Sequence, residues 1–166
     1  MQKTFTLFRV LPSAVAIIIS AFCFNTAYAT TYIWKGTTSS DWNTAGNWSP
    51  SGVPTASDFV SIGSTTFNNQ PTISSFETAY ASFITFGTAK TTTLTLIGAL
   101  TVAGNIAMAS SSTFSMANTA VLTLGGNFSG GKLSFPSSST AKIIMNGTAA
   151  QYFPQTTTLS GNVGYL

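Results

Sequence analysis

The sequence predicts an all-β protein: a three-faced right-handed parallel β-helix (solenoid) with an aromatic N-terminal cap, preceded by a signal peptide. Three observations carry this expectation. Ser and Thr make up about a third of the chain after residue 29, while charged residues are only 5% of the whole, so hydroxyls rather than ions solubilise the surface. Apolar residues recur in pairs one position apart, as in a short strand with one buried face. The pairs themselves return at a nearly constant interval, which marks a repeat architecture.

The first element is a targeting segment. Lys3 and Arg9 supply a positive n-region, Leu11 to Phe24 a short apolar core, and Ala27-Tyr28-Ala29 the small residues read by a signal peptidase. The apolar run is shorter than the roughly 18 residues wanted for a span, and Phe22 is too bulky to precede a lipidated Cys23. Cleavage is therefore expected after Ala29, leaving Thr30 to Leu166, enough chain for one domain. Cys23, the single cysteine, leaves with the signal, so no disulfide is available. The mature chain keeps Lys35, Lys90, Lys132 and Lys142 against Asp41, Asp58 and Glu77, a net charge of +1 (4 − 3). No basic patch suggests nucleic acid.

Residues 30–62 form the aromatic cap and first strand, and 63–166 the solenoid coils, which are expected to continue beyond Leu166. In the coils, the intervals are 22 and 22 for Ile84, Ile106 and Phe128 (106 − 84, 128 − 106). They are 20 and 19 for Leu94, Phe114 and Leu133, and 22 and 21 for Leu100, Leu122 and Ile143. Upstream, Ile62 precedes Ile84 by 22 and Ile73 precedes Leu94 by 21. Three short strands per period let each strand stack on its equivalent at about 4.8 Å. Leu100-Thr-Val-Ala-Gly-Asn-Ile106 matches Leu122-Thr-Leu-Gly-Gly-Asn-Phe128, so Asn105 and Asn127 are placed to stack as an amide ladder after a Gly-Asn turn. An antiparallel sandwich also brings its short strands at regular intervals, but it does not need similar turns at a three-strand period. Ser110–Thr113 and Ser137–Thr140 read as loops between strands.

Trp34, Trp42 and Trp48 lie close together in the opening segment. A solenoid exposes an apolar end and an unpaired edge at its first coil, and large aromatics are suited to cover both. The alternative is a carbohydrate platform of flat rings at Trp34, Trp42 and Trp48.

The opening Y-x-W-x-G, D-W-N-T-A-x-N-W-S-P-x-G-V-P-T-A-x-D-x-V-x-I runs through Tyr32, Trp34, Gly36, Asp41, Trp42, Asn47, Trp48, Pro50, Gly52, Pro54, Asp58, Val60 and Ile62. It resembles the start of large secreted or surface proteins of Gram-negative, Bacteroidetes-type bacteria, similar to autotransporter-associated β-strand-repeat or adhesin-like proteins. Met145-Asn-Gly-Thr-Ala-Ala-Gln151 resembles repeats in the same proteins. The resemblance implies the cap and first coils of a passenger or stalk, an architecture without a chemical activity.

Catalytic chemistry finds little purchase. The chain has no histidine, which removes Ser-His-Asp and histidine-metal sites. Gly125-Gly126 and Gly130-Gly131 lack the lysine and helix of a phosphate loop, and no aspartate follows Gly125-Gly126 to bind calcium. Asp41 and Asp58 could form a glycosidase pair, yet both stand beside turn residues and are better suited to closing turns. No catalytic residue, metal site or cofactor is therefore expected. Thr101 and Thr123 repeat one period apart, but successive Thr-x-Thr ranks of an ice-binding face are missing, so ordinary strand threonine is expected. Sequons at Asn47, Asn127 and Asn146 mean little in a bacterial host. The expected role is structural or adhesive, outside the cell, with a surface ligand such as a glycan or another cell-surface protein as partner and no membrane span in the mature chain.

Overall fold

The computed structural model describes residues 28–136 and 139–151 and the backbone of 158–160. Residues 1–27, which hold most of the expected signal peptide Met1 to Ala29, and residues 137–138, 152–157 and 161–166 lie outside the described residues. Within them the chain winds into about four coils of three short strands. Two strands come first, β1 (Thr31–Trp34) and β2 (Trp48–Ser49). The first coil holds β3 (Phe59–Ile62), β4 (Thr72–Ile73) and β5 (Thr78–Ala81), and the second β6 (Phe83–Phe86), β7 (Thr93–Leu96) and β8 (Ala99–Val102). The third holds β9 (Ile106–Ala107), β10 (Thr113–Met116) and β11 (Val121–Leu124). The fourth holds β12 (Phe128–Ser129), β13 (Lys132–Ser134) and β14 (Lys142–Met145), and β15 (Thr158–Ser160) lies on β13.

Corresponding strands pair in parallel, giving three sheets ordered β12-β9-β6-β3-β1-β2, β15-β13-β10-β7-β4 and β14-β11-β8-β5. This is a three-faced β-solenoid, and the parallel ladders exclude the antiparallel sandwich. The register reproduces the sequence columns: Ile84↔Ile106↔Phe128, Leu94↔Phe114↔Leu133 and Leu100↔Leu122↔Ile143. Each strand is pleated, so alternate residues point inward and meet the same column from the coils on either side. Ile84, Leu94, Leu100, Ile106, Phe114, Leu122, Phe128 and Leu133 are fully buried in one continuous core, with Phe114 packed edge-to-face on Phe128 at 5.9 Å. The outward positions carry hydroxyls, as in the column Thr72–Thr95–Ser115–Ser134 of the second sheet.

The first coil departs from the expected register. Ile62 pairs with Phe86 and Val60 with Ile84, an offset of 24 rather than 22. Ile73 pairs with Leu96 rather than Leu94. The cause is mainly the turn 74–77, four residues long against two in its counterpart 97–98, with one further residue between Ile62 and Thr72 than between Phe86 and Thr95. A slip of two preserves the inward face, whereas a slip of one would turn every apolar residue outward. The asparagine turn also differs in detail. Asn105 Oδ1 accepts the backbone N–H of Asn127 at 2.7 Å, so the rung runs from side chain to main chain. A Cβ at position 126 would collide with that same Asn105 oxygen, which is why glycine stands there. Of the first serine loop, Ser112 is buried and Thr113 already opens β10.

The alternation makes a direct prediction. Leu122→Ala should lower stability by about 2–5 kcal/mol through lost burial and a residual cavity, whereas the adjacent outward Thr123→Ala should stay within about 0.5 kcal/mol. Urea unfolding followed by circular dichroism distinguishes the two, and equal effects would contradict the assignment of faces.

Candidate functional site

The segment ahead of the first coil adds a rung to two of the three sheets. β1 pairs in parallel with β3 (Tyr32↔Val60) and antiparallel with β2 (Trp34↔Trp48). Further on, Trp42 N–H donates to Thr72 O at 2.9 Å and Thr72 N–H to Ser40 O at 2.7 Å, which pairs residues 40–42 with β4. Edge groups of β3 and β4 that would otherwise face water alone are thereby partnered.

This geometry brings the three tryptophans together. Trp48 is central, with Trp34 at 4.8 Å, Trp42 at 4.7 Å and Tyr32 at 6.3 Å between ring centroids, all edge-to-face. Relative exposures are 0% for Trp34, 0% for Trp42 and 3% for Trp48, and the cluster is continuous with the solenoid core. A platform for stacking on sugars needs an indole face open to water, and none of the three has one. Trp34 Nε1 donates to Asn69 O and Trp48 Nε1 to Trp42 O, each at 2.7 Å, while Trp42 Nε1 has no partner among the described residues.

The loop 63–71 of the first coil serves this cluster. Asn68 and Asn69 donate their backbone N–H groups to Lys35 O and Gly36 O, and Asn69 Nδ2 donates to Gly36 O at 2.7 Å. Gly36 adopts φ +53°, and a Cβ there would stand 2.5 Å from Asn69 O, so only glycine lets the two segments approach. From the same loop Phe67 packs under Lys90, whose Nζ lies 4.5 Å from the ring centroid and donates to Phe67 O.

Sequence reasoning met Asn47 only as a sequon and as part of the opening motif. The structure makes it a fully buried hub. Its Oδ1 accepts Thr38 and Ser39 N–H, both at 2.9 Å, and its Nδ2 donates to Asp41 O at 2.7 Å and Ser39 Oγ at 3.0 Å. All four hydrogen-bonding positions of the amide are used. No signal in the sequence distinguishes this asparagine from a turn residue, because its partners are set by how the loop 37–47 closes.

Each carboxylate closes a nearby turn, and Asp58 also holds a distant residue. Asp41 Oδ1 accepts Asn43 N–H at 3.0 Å and Oδ2 accepts Thr44 Oγ1–H at 2.7 Å. Glu77 accepts Ser74 N–H at 2.8 Å. Asp58 is 7% exposed; its Oδ1 accepts Thr30 N–H at 2.9 Å, and its Oδ2 accepts Thr55 N–H at 2.8 Å and Thr55 Oγ1–H at 2.6 Å. Burial alone raises the Asp58 pKa, but the bonds from Thr55 and Thr30 outweigh it and hold the carboxyl below its ordinary value. Asp41 and Asp58 serve separate turns, and no group of three metal-ligating side chains occurs among the described residues.

Fold and geometry together define a parallel β-solenoid whose opening segment is folded around three buried tryptophans. The chain belongs to the DUF8693 family, a domain of unknown function, whose family model matches residues 33–140. That span begins in β1 and ends beyond β13, so the tryptophan segment and the coils form part of one family unit. No curated protein and no solved structure matches the chain.

The buried polar contacts can be tested one at a time. Asn47→Ala should cost roughly 2–4 kcal/mol by stranding the buried N–H groups of Thr38 and Ser39, read in urea by the loss of blue-shifted tryptophan emission. Asp58 acts through pH with a defined sign. Its folded pKa is depressed, so its contribution is present above the unfolded value near 3.9 and is lost as pH falls through the folded value. An acid titration of unfolding should show wild-type stability falling below about pH 4 more steeply than that of Asp58→Asn.

Proposed function

We propose that the protein is a non-catalytic, exported or cell-surface solenoid with a structural and adhesive role, as a stalk or passenger segment. The observation that carries this reading is a rigid stack of coils that displays large apolar groups on its first coil. Phe59, Phe76 and Tyr80 are 45%, 104% and 44% exposed. Phe76 also adopts φ +66°, a region costly for a bulky residue, and it projects from a turn held by Glu77 N–H on Ser74 O and Ser74 N–H on the Glu77 carboxylate. A protein under selection for stability alone has no use for such a residue, whereas a contact surface does. Export is supported by the n-region, apolar core and Ala27-Tyr28-Ala29 of the leader. The resemblance to bacterial surface proteins points the same way. No helix among the described residues is long and apolar enough to cross a membrane. The tryptophan platform has less support, since its rings face inward in this conformation.

The full chain expressed in a Gram-negative host should be recovered outside the cytoplasm, cleaved after Ala29; an uncleaved cytoplasmic product would refute the export reading. Beads coated with the purified chain should be retained on cells of the same host. A Phe76→Ser, Tyr80→Ser double variant should lose most of that retention while unfolding at the same or a higher urea concentration. Retention unchanged by the double variant would remove the first-coil aromatics as the adhesive surface.

A further inference from the structure

We propose that signal-peptide removal completes the N-terminal end of the fold, by converting the Thr30 backbone nitrogen into an α-ammonium group paired with the buried Asp58 carboxylate. The inference rests on the reading that the chain is cleaved after Ala29, and it adds a consequence for the folded protein. In the uncleaved chain the Thr30 nitrogen is a neutral amide that already lies 2.9 Å from Asp58 Oδ1. Asp58 is almost fully buried, and its carboxylate accepts from the Thr30 and Thr55 backbone and from the Thr55 hydroxyl. Among the described residues its negative charge is compensated by these dipoles rather than by a cation, an unusual situation because buried carboxylates are ordinarily paired.

The chain on either side of the bond to be cut is divided accordingly. Tyr28 and Ala29 are exposed and take no part in the core. From Thr30 onward the backbone is engaged: Thr30 O accepts Phe59 N–H at 2.8 Å, and Thr31 begins the parallel pairing of β1 with β3. Hydrolysis of the Ala29–Thr30 peptide adds one water, leaving a carboxylate on Ala29 and an amine on Thr30. That amine is largely protonated at neutral pH, since an α-amino group has a pKa of about 7.7–8. The positive charge thus arises on the atom already touching Asp58, and no strand has to move. A neutral donor becomes a charged one, and the hydrogen bond gains strength accordingly. The mature chain holds β1 to β3 more firmly than the precursor does, so the form that carries the leader is the less stable of the two.

The experiment has two separable parts. Intact-mass analysis of the exported product reads its first residue; Thr30 is expected, and any other residue would overturn the cleavage reading and the proposal with it. Independently, chains produced to begin at Thr30 and at Ala29 are compared in urea at neutral pH. The Thr30 chain should have an unfolding equilibrium constant smaller by about tenfold. The advantage should vanish when its amine is acetylated, a change that leaves every side chain in place, and again in an Asp58→Asn background. If Asp58→Asn does not fold, the acetylated chain alone decides. Equal stability of the Thr30, Ala29 and acetylated chains would overturn the ion pair while leaving the cleavage reading intact. As a second readout, the Thr30 amine should be acylated several-fold more slowly in the folded chain than in urea, and equal rates would likewise overturn the pair.

Discussion

Parallel backbone pairing between successive coils is the constraint on which every other feature of this protein rests. Each strand is two to four residues long and could not persist alone. Stacked, its N–H and C=O groups are bonded to coils above and below, and its inward side chains join columns such as Ile84–Ile106–Phe128. The pairing requires equivalent strands to arrive in register once per coil, and that sets the spacing of apolar residues. It leaves outward positions free, which is why hydroxyls can replace charges there without loss of order. Connections of differing length are tolerated where they lie at corners. Phe114 therefore reaches Leu133 over an interval of 19 (133 − 114) and Ile62 reaches Phe86 over one of 24 (86 − 62), with the pleat preserved in both.

The same constraint creates a problem at the first coil, because a stack has no partner below its lowest strand. The chain meets it with residues from 31 to 58, and it does so unlike the coils themselves. Regular pairing covers β3 and β4, but the space beneath the core is filled by indoles packed on one another and fixed by specific polar groups. Asn47 closes the loop that carries Trp42 and leads into Trp48. Asn69 reaches back from the first coil to Trp34 and Gly36. Asp58 ties the entry of β1 to the entry of β3. Irregular backbone is satisfied here by side chains, as buried polar groups require.

These two regimes explain what could be read from the amino acids. The coil columns were legible because a two-residue pleat and a constant period act on every residue alike. The first-coil register was not, since it turns on the connection 74–77 being two residues longer than 97–98, and a constant period reveals nothing about the length of one turn. Asp58 could be assigned to a turn from its neighbours, but its bond to Thr30 joins distant parts of the chain and leaves no local trace. The tryptophans were recognisable as a cluster. Which way they face depends on the two short pairings Ile33↔Ser49 and Trp34↔Trp48, too few to show a period. Asn47 is the extreme case, indistinguishable from a surface sequon until the loop around it is closed.

Function then has to be sought where the structural logic is satisfied and residues remain unexplained by it. The tryptophans, Asn47, Asp41 and Asp58 are all accounted for by closing one end of the stack. The outward threonines follow from strand propensity and the need for solubility. Phe76 fits neither account. It lies outside the core, carries a backbone conformation that a glycine or asparagine would adopt at less cost, and sits in a turn stiffened on both sides. A positive φ at a bulky residue costs stability, and on the function proposed above the compensating gain comes from a partner that touches the ring. The first coil is thus both where the fold is most elaborately secured and where it presents the most exposed aromatic side chain among the described residues. A rigid mount next to an exposed ring limits the entropy lost on contact, which is the physical advantage that the proposed adhesive role would draw from a solenoid.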